Sequence, residues 1–178
     1  MNGEKRIRIR QVNETRKTIV EALLQLLEKN KLSELTIEQV TRRAGYARRT
    51  FYRHFDSLDD VLTYEIDRNT KTMFETISAI EQLKFETMVE VFFYFWQAHQ
   101  DLLSILNSNH RLYLIENSWL MNLDKSPLSH DDLKTDRYAQ NFGLGGMYFM
   151  MMHWVNGGFT ESPSEMKLVA ERIRRHLI

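Results

Sequence analysis

The sequence predicts an all-α chain, and three observations predict it. Glycine and proline are scarce, at 7 and 2 of 178 residues, while the good helix formers Leu, Glu, Lys, Arg and Met are abundant. Apolar side chains recur at three- and four-residue spacing in one segment after another, and no stretch reads as a convincing strand. Helix-start signals stand at Thr36-x-x-Gln39, Ser57-x-x-Asp60 and Ser162-Pro163-x-Glu165. The expected architecture is an N-terminal three-helix unit at residues 1–57, joined by a long helix to a helical body at residues 58–178.

Residues 1–12 carry Lys5, Arg6, Arg8 and Arg10 without helical periodicity, so helix is expected only from about Asn13. The first helix, Asn13 to Lys31, places Ile19, Ala22, Leu23, Leu26 and Leu27 on one face and Arg16, Lys17, Glu21 and Glu28 off it, which makes it scaffold. Thr36 and Gln39 then form a capping box for a short helix with Ile37, Val40 and Ala44 inward. Gly45 ends it, because glycine tolerates the left-handed backbone of a tight turn. The pattern restarts with Ala47, Phe51 and Phe55 on one face, giving helix, turn, helix.

At 100° per residue, Arg49 and Arg53 point away from that apolar face, flanked by Arg48, Thr50 and Tyr52. Arginine can bond a guanine edge or a phosphate bidentately, and Thr and Tyr hydroxyls reach phosphates. The helix therefore reads as an element for the DNA major groove, the other reading being a small bundle with a solvated basic face. The basic residues before Asn13 could lie along DNA phosphates or enter a minor groove, or be a frayed, solvated terminus.

The run from Leu35-Thr36-Ile37 through Ala44-Gly45-Tyr46 to Arg49-Thr50-Phe51-Tyr52-Arg53-His54-Phe55-Asp56-Ser57 closely resembles the DNA-binding domain of TetR/AcrR-type regulators, over roughly residues 13 to 62. The resemblance implies a homeodomain-like helix-turn-helix head with Thr50, Tyr52 and His54 at DNA-facing positions. It puts Arg48, Arg49 and Arg53 on the same helix and Thr36 near a phosphate. Two positions depart from the pattern: Leu58 stands where many members grip a phosphate with lysine, and Ala47 where a capping serine is common.

Ser57 and Asp60 open a fourth helix expected to run to about Ile80, with Val61, Leu62, Ile66, Met73 and Ile77 inward. The resemblance implies that its tilt moves the recognition helix. Leu83 to Asn107 contains VEVFFYFWQAH, apolar nearly all round, and reads as one buried central helix. A further helix spans Asn109 to Leu123, followed by a break at Asp124–Pro127. Ser129 to Asp132 begins a long helix through Gly157, and Ser162-Pro163 begins the last. Gly143, Gly145 and Gly146 suit close backbone approach by another helix or a ligand, and the Met150–Met152 run is adaptable apolar surface. With Met166, Val169, Ile173 and Leu177 striping the final helix, the last two helices read as a helix-pair interface or as core. The resemblance implies a homodimer formed through them as a four-helix bundle.

The net charge is zero, but residues 1–55 hold 13 Lys and Arg against 6 Asp and Glu, a balance of +7, and residues 56–178 carry −7. A basic head on an acidic body fits a nucleic-acid-binding unit attached to one that does not bind it. The absence of cysteine excludes disulfides, zinc fingers and thiol catalysis. No apolar run approaches the roughly 20 residues of a bilayer span and no signal peptide is evident, so no membrane association and a cytoplasmic location are expected. No catalytic, phosphate-binding or metal-ligand spacing is present, so neither an enzyme, a cofactor nor a metal is expected. Trp96, His99, Tyr113, Glu116 and His153, polar tips among aromatics, are candidates to line a small-molecule pocket, core packing being the other reading. The combined expectation is a one-component transcriptional regulator, a repressor binding a near-palindromic site on double-stranded DNA as a homodimer and released by an unidentified small-molecule effector. The alternative is a relative that has lost operator binding and acts by contacting a protein partner.

Overall fold

The computed structural model describes residues 3–126 and 137–177, and among these there are helices and no strand. The chain divides into two compact units, Met1–Glu65 and Ile66–Ile178. The first holds α1 (Gly3–Leu27), a 3-10 turn (Leu32–Glu34), α2 (Ile37–Ala44), α3 (Arg48–Tyr52) and the start of α4 (Leu58–Ser78). Ile19, Leu23, Val40 and Phe51 are fully shielded from solvent and form its centre, with Leu35, Phe55, Val61 and Leu62 around them. These are the residues whose spacing marked the inward faces.

Helix α1 begins ten residues before the position expected from periodicity. The expectation failed because Ile7 and Ile9 alternate with arginines, which masks a helical period. A helix already nucleated and packed at Ile19–Leu27 extends at the gain of one hydrogen bond per residue, and Lys, Arg and Gln carry little penalty in it.

The second unit holds the rest of α4, then α5 (Phe85–Gln97), α6 (Gln100–Ser108), α7 (Tyr113–Met121), a 3-10 turn (Leu123–Lys125), α8 (Arg137–Asn156) and α9 (Pro163–Leu177). Its centre is an aromatic cluster. Phe93 and Trp154 meet edge to face with ring centres 5.2 Å apart, as do Phe92 and Trp119 at 5.4 Å, while Trp96, Leu103, Leu106, Ile115 and Met151 are fully buried. Ser118 of α7 donates to Asp67 Oδ1 of α4 at 2.5 Å and contacts the Thr70 hydroxyl at 3.0 Å.

The single helix read from Leu83 to Asn107 is two. His99 leaves helical geometry at φ −121°, ψ 26°, and its Nδ1 lies 2.8 Å from the Phe95 carbonyl oxygen. A side chain that bonds the carbonyl four residues back competes with the backbone ladder, and the break follows. The start expected at Ser129–Asp132, with His130, lies outside the described residues. Helix α9 packs along α5, where Lys167 Nζ pairs with Glu90 Oε2 at 2.7 Å and Arg174 Nε with Glu86 Oε2 at 3.5 Å. Met166 of its apolar stripe and the neighbouring Ala170 are buried within the protomer, while Val169 and Ile173 are half-buried.

Candidate nucleic-acid interface

The turn before α3 is set by Gly45 at φ +72°, ψ 26°, whose N–H bonds back to the carbonyls of Thr41 and Arg42. Upstream, Thr36 caps α2 as a reciprocal pair: its Oγ accepts the Gln39 N–H at 3.3 Å, and Gln39 Oε1 accepts the Thr36 N–H at 2.7 Å. Ala47 takes the N-cap position of α3 with extended backbone and no side-chain bond, as its methyl group dictates. The helix is five residues long and is anchored by Phe51, fully buried, whose ring lies 5.8 Å from that of Phe55.

With Phe51 pinned inward, Arg48, Arg49, Tyr52 and Arg53 are exposed, and Thr50 and His54 are half-buried at the edge. Arg48 donates to the Tyr52 hydroxyl at 3.4 Å, which ties the two together along one side. Thr36 is exposed at the start of α2. Burial and the neighbouring Arg16 and Arg53 cations hold the His54 pKa below the ordinary histidine value. At the entry to α4, Ser57 Oγ accepts the Asp60 N–H at 3.1 Å and Asp60 Oδ2 accepts the Asp56 N–H at 2.9 Å. Leu58, the first residue of α4, offers no cation there.

Arg16, off the apolar face of α1, has a part beyond the scaffold that periodicity predicts. Its guanidinium lies over the rings of Tyr64, at 5.2 Å, and Phe55, at 5.9 Å, an arrangement that brings a first-helix cation beside the end of α3. No spacing rule links Arg16 to residues 39 and 48 positions later. Arg42 and Arg43, exposed in the last turn of α2, add two further cations to the head.

The five pocket candidates of the body differ in setting, and of them Trp96 and His99 meet, with ring centres 6.2 Å apart. Trp96 is fully buried, its indole N–H unpartnered, and edges against Phe92, Phe95 and His99. The His99 ring stacks on Phe95 at 4.5 Å, Glu116 is half-buried, and Tyr113 and His153 are exposed. A small cavity in this unit, about 30 Å³, is lined by Met73, Phe74, Ile77, Met88, Phe92, Trp119, Ser126, Leu144 and Met147. Trp119, which the sequence reading passed over, is buried with its indole N–H unpartnered. Among the described residues no three His, Cys, Asp or Glu side chains are placed to hold a metal ion, and no helix is long and apolar enough to cross a membrane.

Residues 19–64, from the buried part of α1 into α4, match the sequence profile of bacterial regulatory proteins of the tetR family. Over this segment the head matches the DNA-binding domain of that family. Among curated proteins no sequence relative is found. The fold is similar to that of solved TetR-type regulators over most of the chain. It resembles the TetR family repressor AlkX from a Dietzia strain, implicated in biodegradation of n-alkanes, at TM-score 0.59 and 20% identity over 91% of this chain and 94% of that one. A TetR transcriptional regulator from Streptococcus agalactiae gives 0.63 at 17% identity over 95% and 98%. The fatty acid degradation regulator FadR from Bacillus halodurans gives 0.56 at 16% over 89% and 93%. With a TetR-type DNA-binding head and this fold, the chain is read as a transcriptional regulator.

Proposed function

We propose that the chain is a homodimeric repressor that binds a near-palindromic operator through α3. The observation that carries this reading is the exposure of Arg48, Arg49, Tyr52 and Arg53 on a helix that Phe51 locks in place directly after the left-handed turn at Gly45. In this reading Arg49 and Arg53 contact base edges, while Thr36, Arg48, Thr50, Tyr52 and His54 contact phosphates and fix the register. Two heads related by a two-fold axis read two half-sites, and occupation of a promoter represses it. The regulator acts in the cytoplasm.

Residues 58–178 form the dimerising body. Its interface is assigned to α8 and α9, because Phe142 and Phe149 of α8 are 75% and 70% exposed in the protomer and Leu168 of α9 is 56% exposed. Gly145 and Gly146 lie between the two phenylalanines, and a Cβ at either would meet no atom within 4 Å, which leaves room for a partner helix. The effector is an apolar small molecule that enlarges the cavity beside Trp119. That cavity, about 30 Å³, is well short of the roughly 300–1,000 Å³ of small-molecule sites. Two fold relatives are named for n-alkane and fatty-acid degradation, which agrees with such chemistry. Release follows if the effector favours the DNA-incompetent form, and couplings of about 1–3 kcal/mol are typical.

The test is selection of bound fragments from sheared host DNA against excess nonspecific competitor. Recovery of a near-palindromic site, lost in an Arg49→Ala/Arg53→Ala variant, supports the reading. A folded, dimeric protein that enriches no sequence overturns it in favour of a protein partner.

A further inference from the structure

The N-terminal turns of α1 do nothing for the core of the head. Residues 5–11 are all exposed, Ile7 by 60% and Ile9 by 46%, and the first buried residue of the helix is Ile19. One face of these turns nevertheless has a counterpart. Ile7, Arg8, Gln11 and Arg16 form one wall of a groove of about 720 Å³ whose other wall is Arg53 and His54 at the end of α3. No carboxylate lines it, and none of Arg8, Arg16 and Arg53 has an ion-pair partner among the described residues. Arg16 is held against the Phe55 and Tyr64 rings, and its Nε is buried without a hydrogen-bond partner.

Three guanidiniums left without counter-ions around an open, polar-walled groove fit a polyanion, and the groove adjoins the helix assigned to the operator. We infer that this groove holds a stretch of DNA phosphate backbone, so that the helical N-terminal extension is a second clamp on the duplex. Arg8 and Arg16 supply the phosphate contacts, while Arg53, assigned to a base edge from the outer face of α3, adds its charge to the groove wall. Arg6 and Arg10 lie off the groove, on the far side of the helix from Arg8, and make no such contact.

The inference rests on the operator-binding reading, and the test separates the two. Binding of the full-length protein to its selected duplex is measured between 50 and 200 mM salt for wild type, Arg8→Ala and Arg10→Ala. Losing one phosphate contact per head flattens the slope of log K against log salt by about 0.9 per head, or about 1.8 for a dimer on two half-sites. Across that salt range, wild type is then expected to lose about 12-fold more affinity than Arg8→Ala, while Arg10→Ala keeps the wild-type slope. Gln11→Glu, which adds a carboxylate to the groove and removes no cation, is expected to weaken binding at low salt. Equal slopes for Arg8→Ala and Arg10→Ala, or no effect of Gln11→Glu, overturn the clamp while leaving the operator reading intact. Failure of the wild type to bind any selected duplex overturns the operator reading itself.

Discussion

Replacing Gly45 by alanine isolates the backbone strain that shapes the helix-turn-helix. The residue sits at φ +72°, ψ 26°, and a Cβ there would meet no atom within 4 Å. Alanine therefore encounters no clash, and its whole penalty is the left-handed conformation, about 1–2 kcal/mol for an L-residue. Against the 5–15 kcal/mol typical of a folded domain, that is measurable and survivable. Asparagine tolerates the same conformation better than alanine, so Gly45→Asn should fall between the two. All three tryptophans, Trp96, Trp119 and Trp154, lie outside the head, so the readout is urea unfolding followed by circular dichroism. With a urea dependence of about 1–3 kcal/mol per molar, the midpoint of the head should drop by roughly half a molar to one molar with its slope unchanged. Gly45→Ala as stable as wild type, or Gly45→Asn less stable than Gly45→Ala, would refute the argument.

Other consequences are equally accessible. Phe51→Ala removes a fully buried ring and should cost the head about 3–5 kcal/mol, read by the same unfolding curves and accompanied by loss of DNA binding. Thr36→Ala removes the α2 cap and should cost about 1 kcal/mol. The His54 pKa is depressed by burial and by Arg16 and Arg53, so the unfolded state binds the proton more readily. Stability should therefore fall as pH drops below about 6.5 and level off under the folded pKa, and His54→Gln should flatten that dependence. DNA phosphate in the groove reverses the sign for binding, so operator affinity should rise over the same acid window in wild type and stay flat in His54→Gln. Gly146→Ala should stabilise the protomer by up to about 1 kcal/mol through helix propensity, yet weaken self-association in sedimentation if α8 meets its partner there.

What was legible in the sequence was local. The Thr36–Gln39 box, the Gly45 turn and the Ser162 cap each need only residues within four positions of one another, and each is formed. The burial of Phe51 and Phe55 followed from a periodicity that a short helix cannot hide. The N-terminal extension of α1 was illegible because its period-two alternation of Ile and Arg belongs to no packed face, and helix there is propagated from a core further along. The break at His99 was hidden inside a continuous apolar run, where one side chain bonding a carbonyl decides the outcome. In the body, Tyr113 and His153 read like Trp96 in sequence. Whether such a residue faces the core depends on which distant helix it meets, and here the aromatic rings meet one another. The groove behind α3 pairs residues about 40 positions apart, which no local pattern reports.

The most direct measurement is titration of the selected duplex and of a scrambled duplex of equal length, at near-physiological salt, with wild type and with Arg49→Ala/Arg53→Ala. A reader of base edges should prefer the selected duplex by about a thousandfold or more, and the double variant should bind both duplexes with the same weak affinity. Equal binding of the two duplexes by the wild type, or an undiminished preference in the variant, would contradict the assignment of α3 as the element that reads the operator.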